Sequence, residues 1–427
     1  MYRRLPHGPH GMGREAVARH QRARLYGAMI EAIDRQGYKA TTVAHVIALA
    51  GVSRRAFYEQ FANKEDCFLA TYDIAVARAK KRMLEGWMSE RGWANRMHRS
   101  CQAFVEDAIK NTKATRLVLI DGLGLGIVSR ERMLRSAVAF ERALAAGFRA
   151  APDGVPLPPL APKAIVGGTR YALFERLRTG REAELPMLTD ELLDWISAYR
   201  SPAARIGLAG AVPHTPAEPA RFLESDEKRT RVLGAVVHLT LDQGYQELTD
   251  PQIAQFAGMS TESFHKHFPD KRACYLAVIE AFMEETIGAI KRAVARGNDW
   301  PEAAYLGVKA CVEHFAAHPG LVKMTFVDIF EVGPAVTDSI GQMLGELTRL
   351  LREVSPEPVR APQLAPEAIV GGVWAVIGSY AVRKRVKYLP SLIDHLAFIV
   401  LAPYVGPKLA AQTIETTRRR LGEEARS

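Results

Sequence analysis

The chain has 427 residues, of which 48% are hydrophobic and 24% charged, with a formal net charge of +10. That length is too great for one ordinary core and suits two globular domains, and no apolar run approaches the roughly 18 to 20 residues a bilayer crossing requires. The four cysteines, Cys67, Cys101, Cys274 and Cys311, form no C-x-x-C pair and the first 25 residues hold no apolar signal core, so reduced thiols, a cytoplasmic location and no membrane partner are expected.

Residues 1–20 read as a basic flexible arm, with Arg14 and Arg19 continued by Arg22 and Arg24. Leu25, Met29 and Ile33 recur at i, i+4, i+8 and predict a helix that stops at Gly37. Thr42 is placed to cap a second helix whose apolar face is Val43, Val46, Ile47 and Ala50. Gly51 supplies the next turn, and Ser53 caps a third helix anchored by Phe57 and Phe61. Lys64 opens a fourth, on which Arg78-Ala-Lys-Lys-Arg82 reads as a solvated face. Pro/Gly-rich breaks follow at Pro152 to Pro162, at Ile206 to Pro219, and at Ser355 to Pro366. Arg418 to Arg420 reads as a frayed polar end. No alternating run persists long enough for a sheet, so the fold class is all-α.

The same pattern is written twice. Arg35 to Ala70 reappears as Asp242 to Ala277, with Gly37 and Gly244, Gly51 and Gly258, Phe61 and Phe268, and Cys67 and Cys274 each 207 positions apart. A later echo, Ala161-Pro-Lys-Ala-Ile-Val-Gly-Gly168 and Ala365-Pro-Glu-Ala-Ile-Val-Gly-Gly372, lies 204 apart. An offset that slips by so little over the chain marks a duplicated domain pair. The copies differ in charge: residues 1–207 hold 33 Lys/Arg against 21 Asp/Glu, a net of +12, and the remainder holds 24 against 26, a net of −2. Affinity for a polyanion is therefore expected in the first copy.

Two short capped helices joined at a glycine make a helix-turn-helix. Burying Val46, Ile47, Phe57 and Phe61 leaves Arg54, Arg55 and Tyr58 facing outward. Arginine in the first turn of such a helix can reach phosphate or fork onto guanine in the major groove. Thr42, Ser53 and Lys64 are the expected backbone contacts. The arrangement GY-x3-T-x7-AGVS-x3-FY-x2-F-x2-K resembles the DNA-binding domain of the TetR family of bacterial transcriptional regulators, over about 50 residues and at most anchor positions.

That resemblance implies nine helices per unit, a small-molecule pocket in the larger domain, and a four-helix dimer interface built from the last two long helices. By position these are Lys163 to Arg181 and Leu188 to Tyr199 in one copy, and Pro366 to Val386 and Ser391 to Pro403 in the other. The resulting division is an arm at 1–20, a first head at 21–68, a first ligand-binding and dimerisation domain at 69–205, a linker at 206–223, a second head at 224–275 and a second larger domain at 276–427. Small residues in the two AIVGG segments would let helices approach closely, and an intramolecular pseudodimer of two tandem TetR-like units is expected.

The second head keeps its scaffold and changes its reading face. Thr249, Ser260 and Lys271 remain, Thr261, Glu262 and His265 replace Arg54, Arg55 and Tyr58, and these six with Lys266 are the expected DNA contacts of the second head. Glu262 could accept from cytosine N4 and Lys266 could meet phosphate, yet a net-negative copy has little nonspecific attraction. Cys311, His314 and His318 have metal-like spacing without an accompanying carboxylate cluster, and are read as ordinary core or surface groups, with no metal. Trp93 and Trp300 occupy equivalent positions and read first as core, with pocket lining as the alternative. No catalytic constellation is visible, so neither an enzyme nor a cofactor is expected. The expected partners are double-stranded DNA and a small effector of unknown identity, and the expected function is a ligand-responsive regulator, a repressor by resemblance. The alternative is a helical ligand- or protein-binding module with a vestigial second head, acting as a homodimer.

Overall fold

The structure, a computed structural model, describes residues 14–200, 220–333 and 336–424. The first part of the expected arm and most of the expected linker lie outside the described residues. Within them every regular element is helical. The first copy contributes α1 (Arg14–Ala40), α2 (Val43–Ala50), α3 (Arg54–Tyr58), α4 (Lys64–Ser89), α5 (Trp93–Lys110), α6 (Thr112–Leu119), α7 (Gly126–Arg149), α8 (Ala161–Arg178) and α9 (Leu188–Ser197). The second contributes α10 (Lys228–Gln243), α11 (Asp250–Phe256), α12 (Thr261–His265), α13 (Lys271–Val294), α14 (Trp300–Ala317), α15 (Pro319–Phe326), α16 (Val336–Val354), α17 (Ala365–Val382) and α18 (Ile393–Glu424).

Gly37 does interrupt the first helix: at φ +75° it takes a conformation that costs glycine little and other residues much. The arm expectation needs correcting. Arg14 to His20 belong to α1, because the helical periodicity runs back through them. Arg22 donates to Gln60 at 2.9 Å, and the Arg24 guanidinium donates to the carbonyls of Ala50 and Gly51, capping the end of α2. The half-buried Arg24 ties α1 to the end of α2, and the exposed Arg22 makes its bond on the surface of the head.

The chain divides into two compact units that do not follow the repeat. One contains residues 1–136 with 176–189; the other contains 137–175 with 190–427. The first unit is centred on the head core, where Leu25, Met29, Val46, Phe57, Phe61, Phe68 and Tyr72 are buried, with Leu117 of α6 closing it.

The second unit holds the whole second copy together with most of α8 and α9. Its centre is a seam between the two AIVGG segments. A methyl group built on Gly372 would stand 2.7 Å from the Ala164 carbonyl oxygen, and one on Gly168 would overlap the Ala368 carbonyl and the Trp195 ring. Only glycine lets these two backbones come so close. The fully buried Tyr199 donates its hydroxyl to the Ile399 carbonyl at 3.1 Å. Asp194 of α9 accepts from the Arg360 guanidinium at 3.0 Å and from the Ala361 N–H at 2.7 Å. Compared with expectation, α8 and α17 each end three or four residues early, and α18 runs on past Pro403, with Gly406 at φ +76° breaking it.

Two further expectations change. The segments Ala365–Val382 and Val386–Gly422 are long and apolar enough to cross a membrane by length and composition, with mean hydropathy 1.3 and 1.5. Their most apolar windows are 61% and 78% buried against other helices of the protein, which accounts for their composition without a bilayer. Nor is the arginine run near the C-terminus frayed. Arg418 pairs with buried Asp394 at 3.2 Å, Asp394 also accepts from Tyr305 at 2.9 Å, and Arg420 pairs with Glu302.

Among the described residues no group of three or more His, Cys, Asp or Glu is placed to hold a metal ion. His314 stacks on Phe282, and His318 bonds through Nδ1 to the His314 carbonyl at 2.9 Å. Burial, with the neighbouring His318 adding to it, pushes His314 down to about 4. The folded state thus disfavours the protonated ring, while an unfolded histidine titrates near 6.5. Stability against urea is expected to fall as pH drops from about 6.5 toward 4, and His314→Phe is expected to flatten that decline.

Candidate DNA-reading face

In the first head the local chemistry fixes the geometry of the reading face. Thr42 Oγ1 accepts from the His45 N–H at 3.2 Å while His45 Nδ1 accepts from the Thr42 N–H at 3.3 Å, closing the first turn of α2. Gly51 turns the chain at φ +59°, and Ser53 Oγ accepts from the Ala56 N–H at 3.1 Å to start α3. Phe57 is fully buried, so its neighbours on the other side of this short helix must face solvent. Arg54 lies 5.7 Å from the ring centre of the exposed Tyr58. The Arg55 side chain is 89% exposed and makes an i,i+4 pair with Glu59 at 2.9 Å. An exposed pair of this kind is weak enough for a phosphate or a guanine to displace.

Lys64 plays a mixed role. Its ammonium donates to the carbonyls of Tyr38 at 2.9 Å and Thr41 at 2.8 Å, and lies 4.1 Å from the Tyr38 ring centre. Burial lowers its pKa. Two of its three donors are engaged in tying the α1–α2 turn to α4, leaving one for a phosphate.

The second head repeats the scaffold and neutralises the face. Thr249 and Ser260 cap α11 and α12 by accepting from the N–H groups of Gln252 and Ser263. Lys271 donates to the carbonyls of Tyr245, Gln246 and Leu248, at 3.2, 3.2 and 2.6 Å. All three of its donors are engaged inside the head. Glu262 and Lys266, both exposed, pair with each other at 3.2 Å, and His265 lies 3.8 Å from Asp250. Thr261 opens α12 with no charge to offer.

Sequence reasoning missed the internal work of Arg24, Lys64 and Lys271. A usable signal existed for the first: Arg24 recurs at the same offset as Arg231, whose guanidinium lies 3.8 Å from where a side chain on Gly258 would begin. A basic residue kept in a copy that has lost its basic face is serving the scaffold.

The family model for "Bacterial regulatory proteins, tetR family" matches residues 27–71 and again 233–278. Each of the two heads is a TetR-family DNA-binding domain, present twice in tandem in one chain. The chain is similar to the nucleoid occlusion factor SlmA of Vibrio vulnificus, 25% identical over 179 residues, which span 39% of this chain and 90% of SlmA. It is also similar to the transcriptional activator FasR of Mycolicibacterium smegmatis, 24% identical over 118 residues, covering 28% of this chain and 54% of FasR. Among solved structures, the fatty acid degradation regulator FadR of Bacillus halodurans aligns with TM-score 0.37 and 18% identity, over 43% of this chain and 99% of that one. FadR of Bacillus subtilis, in complex with stearoyl-CoA, aligns with TM-score 0.37 and 16% identity, over 41% and 96%. The matched segments are the two heads, and the first carries the basic face.

Proposed function

We propose that this regulator works as an intramolecular pseudodimer, one chain per operator, acting as a ligand-responsive repressor in the cytoplasm and performing no catalysis. Arg54, Arg55 and Tyr58 read the major groove, with Thr42, Ser53 and the remaining donor of Lys64 on phosphates. The second head, through Thr261, His265 and Lys266, adds a weaker contact to the neighbouring groove, and Lys271 serves as an internal clamp. Because the two faces differ, the favoured operator is asymmetric. The observation that carries this reading is the seam between α8 and α17. The helices that the family resemblance assigns to dimerisation are packed on each other within a single chain, down to backbone contact at Gly168 and Gly372.

Sedimentation of the chain with and without operator DNA tests it. One chain per operator and a non-palindromic footprint are expected; two chains on a palindrome would replace the pseudodimer with a homodimer that uses the first heads only. The second head has its own test. Glu262→Ala frees Lys266 from its ion pair, and the slope of log affinity against log salt is expected to steepen by about one phosphate contact. An unchanged slope would place that head off the DNA.

A further inference from the structure

A cavity lies within the second copy, walled by α13, α14, α16, α17 and α18. About 130 Å³ of it is open to the centre of a water-sized sphere, and Trp300, Cys311, Phe315, Leu350, Val373 and Trp374 are among its walls. No charged, amide or hydroxyl side chain lines it. Burial pushes the Cys311 thiol up to about 12, so it too is neutral. A charge placed here would lose its hydration with nothing in return, and a water would lack the partners it needs. The volume is close to that of apolar cavities of about 150 Å³ that stay dry and admit benzene. It is well below the roughly 300–1,000 Å³ of pockets for larger ligands.

The first copy carries bulkier residues at matching positions. At the 207 offset, Met97 stands for Ala304, Phe104 for Cys311 and Trp87 for Val294, and at the later 204 offset the charged Arg170 stands for Trp374. The cavity also touches the seam. Ile369, Val370, Val373, Trp374 and Ile377 of α17 face it, while Gly371, Gly372 and Ala375 of the same helix meet α8. A methyl on Gly371 would overlap Tyr171, so α17 has no slack on its far side. Interiors packed this tightly pass a displacement on to the next element.

We propose that the second copy binds one uncharged apolar molecule of single-ring size, and that its occupancy is transmitted through α17 to α8 and so to operator affinity. This rests on the regulator reading above and adds the ligand's chemistry, number and route of action.

The test uses the full chain, its operator, and three probes: ethylbenzene, benzoate and stearoyl-CoA. By titration calorimetry, ethylbenzene is expected to bind once per chain with a negative heat-capacity change. Benzoate is expected to bind at least 100-fold more weakly, and stearoyl-CoA is expected not to compete. Saturating ethylbenzene is expected to change operator affinity at least fivefold. Ala304→Met with Cys311→Phe, the residues of the first copy, is expected to abolish ethylbenzene binding and leave operator binding and the thermal midpoint in place. Should that pair of changes disturb folding, Ala304→Val alone is expected to weaken binding about tenfold. Equal binding of benzoate or stearoyl-CoA would overturn the ligand class, and ethylbenzene binding without an effect on the operator would overturn the coupling through α17. A chain that binds operator but not ethylbenzene would overturn the site and leave the regulator reading intact. A chain that binds no DNA under any condition would overturn that reading instead, whatever ethylbenzene does.

Discussion

Replacing Arg54 and Arg55 together with alanine is expected to remove most specific DNA binding while leaving the fold unchanged. Each lost bidentate base contact is worth about 1–3 kcal/mol, which is roughly fivefold to 150-fold in affinity per residue. If either arginine meets phosphate instead, the salt slope falls by about one and the loss is shared by all sequences. Fluorescence anisotropy on operator and scrambled DNA at several salt concentrations separates the two cases. The thermal midpoint serves as the control, because Arg54 and Arg55 face solvent and the Arg55–Glu59 pair is an exposed i,i+4 contact worth little. The change at the matching acidic position of the second head, Glu262→Ala, is expected to leave affinity level or raise it, since it removes a negative charge and frees Lys266. Equal losses from both heads would mean that the neutralised face reads DNA as strongly as the basic one.

Gly168→Ala is expected to be the most damaging small substitution in the chain. The added methyl has no space between the Ala368 carbonyl oxygen and the Trp195 ring, and Trp195 is itself fully buried. Relief requires α8 and α17 to move apart, which would strip contacts from both helices and from the Tyr199–Ile399 hydrogen bond. A loss of about 3 kcal/mol or more is expected, at the upper end for overpacking, because the obstacle is backbone and an indole with no room to turn. Urea unfolding measures it. Gly27→Ala in α1 is the matched contrast: nothing lies within 4 Å of the new methyl, and the helix is expected to gain about 0.5–1 kcal/mol. If one chain supplies both halves of the interface, Gly168→Ala also lowers operator affinity at concentrations where the protein remains folded.

These expectations divide according to what carries them. The helix-turn-helix is legible because its signals are local. Thr42 and Ser53 lie one residue before their helices, Gly51 occupies the left-handed turn, and Phe57 and Phe61 are spaced to meet Val46 and Leu25. The reading face follows by elimination, since burying one side of a five-residue helix leaves Arg54, Arg55 and Tyr58 outside. The duplication made that reading firmer, because Gly258, Phe264 and Phe268 repeat the scaffold with a different face.

Other features depended on partners distant in sequence. Charge along a chain does not say what a charged group touches. Arg24, Lys64 and Lys271 read as basic residues near DNA, and the fold turns all three toward carbonyl oxygens at the ends of turns. Arg418 and Arg420 read as a solvated tail, and buried or half-buried carboxylates hold them. Apolar composition likewise does not say what covers it: the α17 and α18 segments pass a membrane test, yet most of their apolar surface is buried against neighbouring helices.

The sequence by itself determined an all-α chain, written twice, with one basic and one neutralised head, since caps, turns and helical period depend on residues only a few positions apart. Only the tertiary structure decided that the seam joins the two AIVGG segments, that compact units cut across the repeat, and that an apolar cavity lies in the second copy. Periodicity marks which face of a helix is buried; which other helix buries it, and what space remains between them, is settled by the shapes of side chains hundreds of residues apart.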